Sequence, residues 1–230
     1  MRRLKTVCEM YCAPRASGKT TRLIERAWYL SSRGSVRGAI YFDCVNDPLF
    51  ERLSAARRLE EDVLRVSSSP SSIVHWARAH GRHPRITVAR VADDMASFDF
   101  LVKWSTRQGD MVLVVDEAHN WLPARGPRSD ELARVVRMGR HLPTADGGSA
   151  PTHLVMASQR PKDLHVVARD NVSTVVCGRV RGESNRSWVR DEYGSEALAS
   201  VEDAAPFSWH VLEPAGGDLP RVSPLPELRS

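Results

Sequence analysis

At positions 13–21 the chain reads APRASGKTT, directly after the apolar run VCEMYC (7–12) and directly before the helix-like RLIERAWYL (22–30). A strand, a short loop ending in Gly-Lys-Thr, and a helix are expected to follow one another here. That order turns the loop's backbone N–H groups and the positive end of the helix toward one spot, which is what a polyphosphate needs. Ala13, four further residues, then Gly18, Lys19 and Thr20 match a phosphate-binding loop with Ala at its first glycine position. The expected binding segment is therefore Ala13, Pro14, Arg15, Ala16, Ser17, Gly18, Lys19, Thr20 and Thr21. Lys19 would reach the β and γ phosphates, the Thr20 hydroxyl would ligate Mg²⁺, and Thr21 would contact the α phosphate. A Lys-Thr turn that only caps a helix is the plain alternative.

Outward from the loop, strand and helix patterns alternate. Strands are expected at 6–12, 38–43, 85–91, 111–116, 152–158, 173–180 and 207–213, and helices at 19–30, 48–64, 93–107, 130–140 and 183–193, with Ser129 or Asp130 as the N-cap of the fourth. The run MVLVVD (111–116) is apolar at successive positions, as in a strand covered on both faces of a mainly parallel sheet. The expected fold class is α/β, a Rossmann-like or RecA-like open, mainly parallel sheet flanked by helices. One domain is expected over 1–214, with an inserted helix at 67–84 and a proline-rich tail at 215–230. The breaks SSSPSS (67–72) and PTADGGSAP (143–151) are too short to separate domains.

A phosphate loop needs a second group at its metal. MVLVVDEAHN ends a buried strand with Asp116, and Glu117 follows at once. An acid at the tip of an apolar strand is costly unless a cation or hydrogen bonds hold it. Asp116 is expected at Mg²⁺, through its water shell, and Glu117 is expected to polarise the water that attacks the γ phosphate. The adjacent pair favours hydrolysis over transfer to a small acceptor. THLVMASQRP (152–161) is another apolar strand, and Gln159 at its end is expected to bond the γ phosphate or the attacking water.

With 230 residues, 42% of them hydrophobic, the chain can bury one sizeable core, and no stretch approaches the roughly 18 apolar residues of a membrane span. A cytoplasmic protein, in a host cell's cytoplasm or in a virion, is the expectation. The four cysteines lack paired metal spacing and read as buried reduced thiols, and His75, His80 and His83 make no recognised metal motif. The net charge of +5 comes mostly from arginine, whose planar guanidinium suits phosphate partners.

In order, APRASGKTT, VVDEAHNWLP, RMGRH, LVMASQRPKDL, ARDNVSTVVCGRV and ESNRSWV resemble the FtsK/HerA superfamily of DNA-pumping ATPases. The resemblance implies a homohexameric ring with ATP and Mg²⁺ bound between subunits, and an arginine supplied by one subunit to its neighbour's γ phosphate. Arg140 is the first candidate for that arginine, Arg137 the second and Arg186 the third. Among such proteins a bare motor of this size is similar to the genome-packaging ATPases of tailless, membrane-containing icosahedral viruses. Its implied partners are double-stranded DNA of any sequence and a capsid vertex or viral membrane protein. The glycine-containing segments 141–151, with its flanking arginines, and 179–186 are the expected DNA-facing loops. A filamentous-phage assembly ATPase similar to zonula occludens toxin, a nucleotide-dependent switch and a small-molecule kinase are the alternatives.

Overall fold

The computed structural model describes residues 6–32, 36–51, 64–79, 86–91, 94–212 and 222–224. Eleven strands are present among them: β1 Cys8–Cys12, β2 Gly38–Asp43, β3 Leu64–Ser67, β4 Ile86–Arg90, β5 Met111–Val115, β6 Leu142–Pro143, β7 Ser149–Ala150, β8 Thr152–Ser158, β9 Thr174–Cys177, β10 His210–Leu212 and β11 Val222–Pro224. The helices are α1 Lys19–Ser31, α2 Pro70–Ala79, α3 Met95–Gln108, α4 Asp130–Met138, α5 Val166–Asn171 and α6 Glu183–Glu202.

Nine strands form one sheet in the order β11-β10-β9-β1-β8-β5-β2-β4-β3. The seven from β9 to β3 run parallel, while β10 is antiparallel to β9 and β11 to β10. Every residue of β2, β5 and β8 is buried, because helices cover both faces. Alternation along each strand divides the core into two layers. Tyr11, Tyr41, Val112, Val114, Val155 and Ala157 meet Leu23, Ala27 and Leu30 of α1. Met10, Phe42, Leu113, Val115 and Met156 belong to the other layer, with Phe98 and Leu101 of α3, Leu132 of α4 and Trp188 of α6. Phe98 stacks flat on Trp121 at 3.9 Å between ring centres, joining α3 to the segment that follows β5.

The expected α/β layering and mainly parallel sheet are therefore present. Local differences have physical reasons. Of the helix expected over 48–64, residues 49–51 are helical and 52–63 lie outside the described residues, while Leu64 already begins β3. The helix expected as an insertion within 67–84 is α2, the crossover from β3 to the neighbouring parallel β4. The Ser-Pro cluster before it is a helix start, where Pro70 occupies a first-turn position whose N–H would have no partner. His75 lies on α2, and His80 and His83 lie outside the described residues.

Most of the stretch 143–151, read as a break, belongs to the small β6–β7 hairpin, in which Leu142–Pro143 pairs with Ser149–Ala150, and the proline-rich tail contributes β11. The final helix runs to Glu202 rather than Tyr193, bending at Gly194, whose φ of 87° lies outside the helical region. Ser129, one of the two expected caps, accepts from Leu132 N at 3.0 Å. All four cysteines are free, with Cys12 and Cys177 buried and Cys8 and Cys44 partly so. Burial pushes the Cys8 and Cys44 thiols up to about 12. Among the described residues no helix is long and apolar enough to cross a membrane.

Parallel pairing aligns the carboxyl ends of the central strands. Cys12 is level with Ser158, Met156 with Val115, and Val115 with Phe42. The residues just past β1, β8 and β5 are thus brought to one edge of the sheet.

Candidate functional site

The loop after β1 gathers its backbone inward through two left-handed residues, Ala16 with φ 57° and Gly18 with φ 80°. Gly18 is the N-cap of α1 and has no side chain to accept from the first-turn N–H groups, so that turn ends without a side-chain cap. The first turn also carries no acidic residue. An uncapped helix end with its positive pole exposed attracts anions. Ser17 Oγ is buried without a hydrogen-bond partner, a second donor waiting for an acceptor.

Lys19, at the first position of α1, crosses to the segment after β5, where its Nζ donates to Glu117 Oε1 at 2.9 Å. Both side chains are under a tenth exposed. Gln159 arrives from the end of β8 and donates through Nε2 to the same oxygen at 2.7 Å. Glu117 itself is left-handed, with φ 49°, a conformation costing a non-glycine residue about 1–2 kcal/mol. Its own N–H donates to Asp116 Oδ1 at 2.9 Å, which helps to hold it there. Burial disfavours the charged Glu117 carboxylate, but the Lys19 ammonium and the hydrogen bonds from Gln159 and Lys19 outweigh it, and the carboxyl is held below the usual range. Glu117 Oε2 has no hydrogen-bond partner, though His119 Nδ1 stands 3.4 Å away.

Asp116, 4% exposed, accepts from Tyr41 OH at 2.9 Å and from the Thr20 hydroxyl at 3.3 Å. Burial pushes its carboxyl up despite the nearby Lys19 ammonium. Thr20 and Asp116 thus place two oxygens side by side at the helix end. Mg²⁺ is held by few protein oxygens plus substrate phosphates, so this pair fits it without a larger ligand cage.

Together these groups line a cleft of about 410 Å³ that includes Pro14, Arg15, Ala16, Gly18, Lys19, Thr20, Thr21, Asp116, Glu117 and Gln159. Of the expected loop residues, Ala13 is buried beneath it at 4% exposure. The opposite wall comes from Val45, Asp47 and Leu49 after β2. The structure adds three residues that the sequence did not single out: Tyr41, His119 and Asn185, whose amide donates to Gln159 O at 3.1 Å. Tyr41 looks like an ordinary core aromatic in GAIYFD, and only the fold reveals its hydroxyl against Asp116.

The expected trans arginines are elsewhere. Arg137 and Arg140 line a different cavity, of about 470 Å³, with Cys8 and Thr152 at the amino ends of β1 and β8. A five-residue strand, about 13 Å long at 3.3 Å per step, separates them from their own chain's cleft. Arg186 lies near the start of α6, ion-paired with Glu202. The two expected DNA-facing segments are also apart, 141–151 preceding β8 at one edge and 179–186 following β9 at the other.

Comparison of the fold with solved structures finds B204, the genome packaging NTPase from Sulfolobus turreted icosahedral virus 2, in complex with ATP-gammaS. The TM-score is 0.64 at 14% identity, covering 94% of this chain and 96% of that one. B204, described as the DNA-packaging ATPase from Sulfolobus Turreted Icosahedral Virus, gives 0.60 at 15% identity over 94% and 97%. The N-terminal domain of zonular occludens toxin from Neisseria meningitidis scores 0.48 at 12% identity over 96% and 94%, a likeness on which nothing here rests. No protein-family model matches the sequence, and no curated protein does at a significant level. At such identities the B204 likeness shows a common fold.

The depressed Glu117 carboxyl has a consequence for stability. A group whose titration is lowered on folding stabilises the native state above its unfolded pKa and loses that contribution as pH falls through the folded value. The unfolding free energy of wild type relative to Glu117→Gln is therefore expected to fall as the pH drops below the unfolded glutamate value of about 4.3 and through the lower folded one. Urea titrations at several pH values measure it, and a difference independent of pH would contradict the assignment.

Proposed function

We propose that this chain is an ATPase that hydrolyses ATP to ADP and phosphate and uses the cycle to move double-stranded DNA, as a genome-packaging motor does. The observation that carries the reading is the meeting of Lys19, Glu117 and Gln159 at the uncapped end of α1, with Thr20 and Asp116 alongside. The fold shared with the B204 packaging NTPase supports it.

In the proposed cycle the N–H groups of the loop from Pro14 to Thr21 hold the phosphates, and Lys19 turns from Glu117 to their β and γ oxygens. Bound Mg²⁺, held by Thr20 and by Asp116 through water, would neutralise charge on those oxygens. Losing the ammonium at 2.9 Å removes what chiefly depresses Glu117, and the nearby phosphate charge raises its carboxyl further. The lysine thus masks the base in the resting cleft and unmasks it when substrate arrives. Glu117 then accepts a proton from water as the water oxygen bonds to the γ phosphorus and the bond to the β–γ bridging oxygen breaks. Gln159 holds the carboxylate toward that water.

Arg140, with Arg137 next, is proposed to complete the site in trans within a ring, the exposed arginines at the far edge of one copy serving the cleft of another. Charge neutralisation in the transition state is the role. The basic, arginine-rich surface is proposed to contact DNA phosphates, which a motor can pass without reading bases.

Lys19→Ala is expected to weaken ATP binding about 10- to 150-fold, the worth of hydrogen bonds to a charged group. Glu117→Gln is expected to keep binding while kcat falls about 10²- to 10⁴-fold. Equilibrium binding and steady-state turnover separate the two, and wild-type turnover in Glu117→Gln would remove its role as base. Rings mixed from Arg140→Ala and Glu117→Gln subunits should regain activity that neither has alone, whereas no recovery across mixing ratios, with exchange demonstrated, would remove the trans arginine. Turnover should also rise with duplex DNA of any sequence, and that rise should shrink steeply with added salt. Turnover indifferent to DNA at low salt in an assembled preparation would favour a nucleotide switch instead.

A further inference from the structure

Beside the loop stands an exposed aromatic side chain that the chemistry above does not use. Phe207 lies in the tight turn from Ala205 to Ser208, where Ser208 N and Oγ both donate to Ala205 O, at 3.1 and 2.7 Å. This turn leads from α6 into β10. Phe207 has φ 64°, a left-handed conformation unfavourable for a residue with a Cβ, and its side chain is left 70% exposed. Two residues on, Trp209 is buried and packs edge-on against Tyr11 of β1 at 6.0 Å, anchoring the turn to the loop-bearing strand. The Phe207 ring reaches the loop itself, since a Cβ placed on Gly18 would lie 3.2 Å from Phe207 Cδ1.

The sheet order gives this position a meaning. Glu117 and Gln159 follow β5 and β8, on one side of β1, and mark the end of the cleft where the terminal phosphate would be cleaved. β9 pairs with β1 on the other side, and β10 pairs with β9. A triphosphate with its terminal phosphate at Glu117 and the rest laid across the loop past Gly18 would leave on the β9–β10 side, and the group attached to its α phosphate would then meet Phe207, which stands against Gly18. Phe100 is the other exposed large aromatic among the described residues, and it lies on α3, whose buried side chains pack against the sheet face opposite α1.

We propose that Phe207 is the nucleobase platform of this site, stacking its ring on the base of a bound nucleoside triphosphate. The inference rests on the phosphate-loop reading and adds the part of the ligand that the loop does not recognise. Stacking uses the face that every base presents, so Phe207 would favour nucleotides over bare polyphosphate without selecting among bases.

The test compares ATP with inorganic tripolyphosphate on the full chain. Phe207→Ala is expected to raise the Kd and KM for ATP roughly tenfold or more, with kcat within about twofold and tripolyphosphate binding unchanged. Phe207→Tyr, which restores an aromatic plane, should recover wild-type ATP affinity. Equal ATP affinity in wild type and Phe207→Ala overturns the stacking proposal, as does an equal loss for ATP and tripolyphosphate, which would mark a purely structural turn. Wild type that binds neither ligand would overturn the phosphate-loop reading, and this proposal with it.

Discussion

The buried ion pair between Lys19 and Glu117 is the constraint around which the site is arranged. Two groups 98 residues apart in sequence meet at 2.9 Å, and each is less than a tenth exposed. Removing two charges from water costs several kcal/mol per ion, so such a pair is weak evidence for stability alone. Here it comes with local strain, since Glu117 is left-handed, and with a third partner in Gln159. Strain and buried charge gathered in one cleft are more economically explained by chemistry than by folding.

The sheet makes the pair possible. β8 lies between β1 and β5, so Gln159 enters between the lysine loop and the acidic segment. The alternation of side chains sends Tyr41 toward the α1 layer, where its hydroxyl reaches Asp116. Phe98 and Trp121, stacked in the opposite layer, fix the chain just after Glu117. Asp116, Glu117 and Gln159 thus sit just past the ends of strands whose buried residues leave them little freedom, while Lys19 and Thr20 open α1.

What the sequence made legible was local and periodic. APRASGKTT and MVLVVDE could be read because strand, loop and helix patterns change sharply there, and a buried strand ending in two acids is unusual enough to notice. The α/β class followed from the alternation of strands and helices. Less legible were elements whose pairing comes from distant chain. Leu64–Ser67 is too short and polar to announce a strand until β4 lies beside it, and Val222–Pro224 becomes one only by pairing with β10. Tyr41, His119 and Phe207 had no signal in the sequence, since an aromatic or histidine acquires a role only through the neighbours that the fold supplies. The placement of Arg137 and Arg140 at the far edge was equally invisible, because it depends on where α4 ends against β8.

A crystal structure with Mg²⁺ and a non-hydrolysable ATP analogue tests the central claim most directly. The account predicts the triphosphate in the loop, Lys19 Nζ bonded to its β and γ oxygens, and the 2.9 Å contact with Glu117 broken. An analogue bound elsewhere, or one bound at the loop with the Lys19–Glu117 pair still closed, would contradict it.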